Sequence, residues 1–223
     1  MKRLAIALFA PALSAAGTQV FEGYEAYYAT LQGTLFKAED AIQLDAQPSP
    51  SGASVNLKWR GKVGGRVTRS VEIGNGVLVI DQQQPIRTTR AFPGETISAG
   101  DLGRGTVAYF TSGWTCIENT PSSASGTAVR HKAVYLIRTG SRQAASWKLP
   151  SLFASCTNVR LDMEQIRFDK AEYRYKAGQD FPVGVLFREH LIGPNNEFAP
   201  TGQERSASFV EPENVYRFSV DER

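Results

Sequence analysis

Val71-Glu72-Ile73-Gly74-Asn75-Gly76-Val77-Leu78-Val79-Ile80 is the stretch whose reading decides the fold. Two apolar, largely β-branched runs flank Gly74-Asn75-Gly76, residues that tolerate positive φ, so the segment predicts a tight antiparallel hairpin. Upstream, Val55, Leu57 and Trp59 alternate with Asn56 and Lys58, the period of two that a half-buried strand requires. That alternation assigns Trp59 to the core. Residues 47–54, with two prolines and three serines, have turn composition and mark where the β part begins.

Downstream, further strands are predicted over 106–111, 133–139, 159–163, 166–168, 183–188, 207–210 and 215–220, separated by clusters of Gly, Pro, Ser and Asn. Nine or ten short strands with no alternating amphipathic helices exclude βαβ units. The expected fold is mainly β: an antiparallel β-sandwich or barrel-like domain with a short N-terminal helix and one disulfide. Tyr24, Tyr27, Tyr28 and Leu31 recur at helical spacing, placing that helix over 22–31 with Gly33 closing it. Aromatic residues so spaced are read as core and not as a ligand-stacking stripe. Strands of about five to seven residues that contain Lys58, Arg69, Arg138 and Arg217 argue against a membrane barrel, whose strands need about nine to eleven.

Ahead of all this, Met1, Lys2 and Arg3 form a positive start, residues 4–13 an apolar stretch, and Ser14-Ala15-Ala16 a small-residue exit. This order is that of a secretory signal peptide cut after Ala16. An apolar run of about ten residues is too short to span a bilayer. The expected organisation is a signal peptide over 1–16 and a single mainly-β domain over 17–223, working in the periplasm or secreted. The alternative is a two-lobe split near 112–130, with the Ser-rich loop 121–126 at the seam.

The 223-residue chain carries 25 Lys and Arg against 22 Asp and Glu. Loss of Lys2 and Arg3 with the signal brings the net charge from +3 to +1. So small a charge lacks the field that recruits nucleic acid, and no basic run is interleaved with stacking aromatics. Apolar residues at 42% and charged ones at 21% exclude intrinsic disorder. In an exported chain the only two cysteines, Cys116 and Cys156, are expected to pair as a disulfide. They are not in C-x-x-C spacing, and no histidine lies near either in sequence, so a redox or metal role is not expected.

The scan for catalysis is mostly negative: no G-x-S-x-G elbow, no H-E-x-x-H, no phosphate loop, no G-x-G-x-x-G opening a helix. Any triad or zinc site is limited to His131 or His190. His131 sits between Arg130 and Lys132, cations that tend to keep its ring neutral. The carboxylates Asp162, Glu164, Asp169 and Glu172 crowd one segment and could serve acid-base chemistry, although a solvated strand rim is the ordinary reading. The best candidate binding patch is Trp59 followed by Arg60, Lys62, Arg66 and Arg69 among Gly61, Gly64 and Gly65, where guanidinium forks and backbone N–H groups could grip an anion. An exposed hairpin whose charges protect a sheet edge explains the same residues.

The expectation is a non-catalytic periplasmic or secreted binding module without cofactor or metal, whose partner is an envelope component or an anionic ligand. The alternative is an extracytoplasmic hydrolase built on segment 162–172 or on His190.

Overall fold

The computed structural model describes residues 19–48, 54–63, 66–74, 77–80, 89–120, 126–138 and 145–221; over 45–80 and at Ala99 the side chains lie outside the description. Sixteen strands are present among them: β1 (Val20–Glu22), β2 (Ile42–Gln43), β3 (Asp45–Pro48), β4 (Ser54–Val63), β5 (Arg66–Gly74), β6 (Val77–Ile80), β7 (Thr89–Ala91), β8 (Val107–Thr111), β9 (Trp114–Asn119), β10 (Ala133–Arg138), β11 (Ala145–Lys148), β12 (Arg160–Asp162), β13 (Gln165–Tyr175), β14 (Pro182–Ile192), β15 (Phe198–Phe209) and β16 (Arg217–Val220). The one α-helix among the described residues, α1 (Tyr24–Tyr28), is shorter than the span expected from the tyrosine spacing, because β1 takes Glu22 before it and residues 29–30 form a turn after it.

The strands form three sheets: β1-β16-β15-β14-β13-β12, β2-β8-β9-β10-β11-β7, and the four-stranded β3-β4-β5-β6. All pairings are antiparallel except β11 with β7. The architecture is therefore mainly β, with antiparallel sheets curled into a half-barrel. In the hairpin that opened the sequence reading, Gly74 pairs with Val77 and Val71 with Ile80; Asn75 and Gly76 lie outside the described residues.

The first sheet, β1-β16-β15-β14-β13-β12, buries opposite faces at its two ends. At one end Ile166, Phe168 and Ile192 pack against Val134, Leu136, Trp147 and Leu149 of the second sheet, with Phe36 and Phe92 filling the gap. At the other end Ala171, Val185, Phe187, Ala207 and Phe218 take the three tyrosines of α1 and Phe153. The second sheet, β2-β8-β9-β10-β11-β7, is covered on its far side too, where Ile117, Tyr135 and Ile137 meet Leu44 and Leu102. Burying apolar surface on both sides gives roughly 25 cal/mol per Å² removed from water, the main term holding the layers together.

Cys116 of β9 and Cys156 form the expected disulfide, both fully buried. It ties the second sheet to the turn that feeds β12 of the first. Trp147 is fully buried, its Nε1–H donating to the Asn196 carbonyl (2.9 Å), while Trp114 lies 6.1 Å from it at the core margin. No helix among the described residues is long and apolar enough to cross a membrane.

Five strands depart from the expected lengths. β4 and β5 run 10 and 9 residues and β13, β14 and β15 run 11, 11 and 12, where the alternation predicts runs of three to six. The argument from strand length against a membrane barrel fails for these five.

Candidate functional site

Backbone register places Trp59 opposite Arg69, Arg60 opposite Thr68 and Val63 opposite Arg66 on the β4–β5 hairpin. The anion-binding candidates Trp59, Arg60, Lys62, Arg66 and Arg69 therefore share one hairpin of the smallest sheet, and their side chains lie outside the described residues.

The acidic segment does not converge. Asp162 is half-exposed and meets Arg167 (3.0 Å), while Glu164 sits in a turn at φ 69°. Glu172 lies on the solvent side between Lys170 (2.7 Å) and Arg188 (2.9 Å); the hydrogen bond from Lys170, with both positive charges, holds its carboxyl below the ordinary range. Asp169 is buried beneath α1, where it accepts from Arg160 (2.8 Å) and Arg205 (2.6 Å). Glu189, its partner across β13 and β14, takes Arg160 (3.2 Å) and Arg167 (3.2 Å). With Asp162, three carboxylates face three guanidiniums, so the layer is neutral in charge, while the buried Nε of Arg160, Arg167 and Arg205 has no hydrogen-bond partner among the described residues. Asn158 locks it from the side, donating to the Asp169 carbonyl and accepting the Asp169 N–H.

The histidines stand apart. His190 is wedged among aromatic rings, stacked on Phe168 (5.9 Å) and edge-on to Phe92 (5.0 Å), with Nδ1 on the Arg188 carbonyl. His131 is exposed and meets Ser151 Oγ at 3.0 Å, yet no carboxylate among the described residues orients its second nitrogen, the third member a triad needs. Among the described residues no group of three or more His, Cys, Asp and Glu is placed to hold a metal ion.

A concavity among the described residues lies elsewhere. Where the start of α1, the turn before β10 and the 153–155 segment meet, a cleft of about 250 Å³ is lined by Gly23, Tyr24, Glu25, Val129, Arg130, Lys132, Phe153, Ser155 and Tyr216, among others. Its apolar wall is built from the core outward: Tyr24 and Phe153 stack at 3.9 Å and 12°, and the half-exposed Tyr216 stands edge-on to both. The Tyr24 hydroxyl donates to the Val215 carbonyl (3.0 Å), and burial raises its pKa far above the usual tyrosine value. Past Arg130 the cleft meets a second groove of about 370 Å³, lined by Arg130, Phe181, Pro182, Pro212, Glu213 and Val215.

The charged rim is mostly paired. Lys132 contacts Glu25 (2.9 Å) and the buried Glu118 (3.4 Å). Burial works against the Lys132 ammonium, but the two carboxylates prevail and raise its pKa. Glu118 also accepts the Ser155 hydroxyl (3.0 Å) and the Cys156 N–H (2.6 Å), so it anchors the cleft to the disulfide. Because Ser155 gives its proton to Glu118 and accepts from the Thr157 N–H and hydroxyl, it caps a turn and has no free role as a nucleophile. Glu22 is held by Arg217 (2.8 Å).

Arg130 was read only as the neighbour that sets the charge of His131, and Tyr216 only as a strand residue. The cationic run Arg130-His131-Lys132 beside a turn-rich segment was the one signal of this site in the sequence. The chain matches no family model, no curated protein and no solved structure.

Proposed function

We propose that the protein is an exported, non-catalytic binding module whose ligand seats in the cleft between Tyr24, Phe153 and Tyr216. The observation that carries this reading is a concavity with an apolar wall of stacked rings and a few polar groups at its rim, the composition that small-ligand sites share. The half-exposed Tyr216 and Val129 give a ligand apolar surface to cover. Its neighbours Ser155 and Glu118 are occupied in holding the fold, which favours binding over turnover. The export reading rests on the N-terminal sequence and agrees with a fully buried disulfide, a bond that persists in oxidising compartments.

The test is a titration with indole, an uncharged aromatic probe, followed by backbone NMR shifts. Shifts are expected to cluster at Gly23, Glu25, Val129 and Ala154, and the variant Val129→Asp/Tyr216→Asp is expected to weaken binding at least tenfold while its amide spectrum stays that of a folded protein. Absence of saturable shifts, or equal binding by the variant, overturns the reading.

A further inference from the structure

We propose that the cleft selects a small carboxylate with an apolar body, its carboxylate gripped by Arg130 and its body against Tyr216 and Phe153. The inference rests on the binding reading above and adds the ligand class.

The reasoning starts from the charges at the rim. Glu25 is matched by Lys132, and Glu22 and Glu211 by Arg217. Arg130 has no carboxylate among the described residues, although it lines both concavities. Its Nη1 donates to the Tyr173 hydroxyl (2.8 Å), and its guanidinium lies 5.9 Å from the Tyr173 ring centre. These contacts fix the plane of the fork and use one of its five N–H donors. None of its nitrogens belongs to the buried polar atoms that lack a partner, so the remaining donors reach solvent. A planar guanidinium held by an aromatic residue, with free donors over an apolar wall, is pre-organised for a two-point grip on a carboxylate.

The side on which the anion sits follows from the neighbours. In the second groove Arg130 shares the lining with Glu213, which has no cationic partner among the described residues and repels an anion there. In the first cleft both carboxylates are already bridged, Glu25 by Lys132 and Glu22 by Arg217, so neither stands against an anion unpaired as Glu213 does. The carboxylate therefore belongs to the Tyr216 side. A volume of about 250 Å³ lies just under the range of drug-sized pockets, which limits the body to one ring or a short alkyl chain.

The experiment compares 4-phenylbutyrate with 4-phenylbutanol and 4-phenylbutylamine by NMR titration of the intact protein near neutral pH. The carboxylate is expected to bind at least tenfold more tightly than the alcohol, and the amine more weakly than both. Arg130→Gln is expected to bring the carboxylate down to the affinity of the alcohol, and Arg130→Lys to recover part of the loss, since it keeps the charge without the fork. Equal affinity for acid and alcohol in the unmodified protein, which requires no variant to fold, overturns the proposal while leaving the indole result intact. So does an acid preference that survives Arg130→Gln, or no detectable binding of 4-phenylbutyrate.

Discussion

Asp169 shows how much one residue can hold. Its carboxylate accepts from Arg160 and Arg205, and its backbone is bracketed by Asn158, all inside the fold. Taking one partner from a buried ion pair leaves the other charges uncompensated, at a cost of about 3–5 kcal/mol. Asp169→Asn should therefore lower the unfolding free energy in urea by several kcal/mol, while Glu172→Gln, removing a carboxylate three residues away on the solvent side, should lower it by under about 1 kcal/mol. Equal effects of the two would show that the buried layer is not what holds β13 in place. The same residue explains a failure of sequence reading. Asp169 and Glu189 occupy the buried face of β13 and β14, where an apolar residue would have marked the alternation, so only the apolar ends of these strands stood out. Arg130 was missed for the opposite reason: a half-buried cation in a turn carries no period, and its meaning comes only from Tyr173, Phe153 and Tyr216, which are distant in sequence.

Among elements, the disulfide was the most legible, because two cysteines in an export-like chain leave one pairing. It closes a loop with a sequence separation of 40. On the chain-entropy view that restricts the unfolded chain by about 4 kcal/mol. The double variant Cys116→Ala/Cys156→Ala should thus lose about 3–4 kcal/mol in urea denaturation, and the loss should be matched by reducing the native protein under mild denaturant. A loss under about 1 kcal/mol would mean that Glu118, by accepting the Cys156 N–H and the Ser155 hydroxyl, holds this junction without the covalent tie. The close approach of β14 and β15 is equally specific. A side chain at Gly184 would place its Cβ 2.0 Å from the Ala207 carbonyl oxygen, so only glycine fits. The position was visible as a glycine inside an apolar run, but the backbone it makes room for lies on a strand that alternation had reduced to four residues.

For the whole molecule, the tyrosines set the response to base. Tyr24, Tyr27, Tyr28, Tyr109 and Tyr135 all have pKa values raised chiefly by burial, Tyr27 to about 12. In the unfolded chain the same hydroxyls ionise near 10.0, so above that pH the unfolded state sheds protons that the folded state keeps. The stability they lend is complete below pH 10 and falls as pH rises toward the folded values. Far-ultraviolet circular dichroism and tyrosinate absorbance should therefore change together in one cooperative alkaline transition, with few tyrosines ionising before it. Stepwise ionisation with the fold intact would show that the rings are not locked.

The pairing of β1 with β16, Val20 opposite Ser219, has a consequence for synthesis. During synthesis β1 and the tyrosine helix emerge well ahead of their sheet neighbour: Tyr24 and the Val215 carbonyl that it reaches are 191 residues apart. Phe21, Tyr24 and Tyr27 lack their contact with Phe218 over that interval. Contacts between such distant residues slow folding. The nascent protein thus carries an aromatic surface that is covered only when β16 docks on β1.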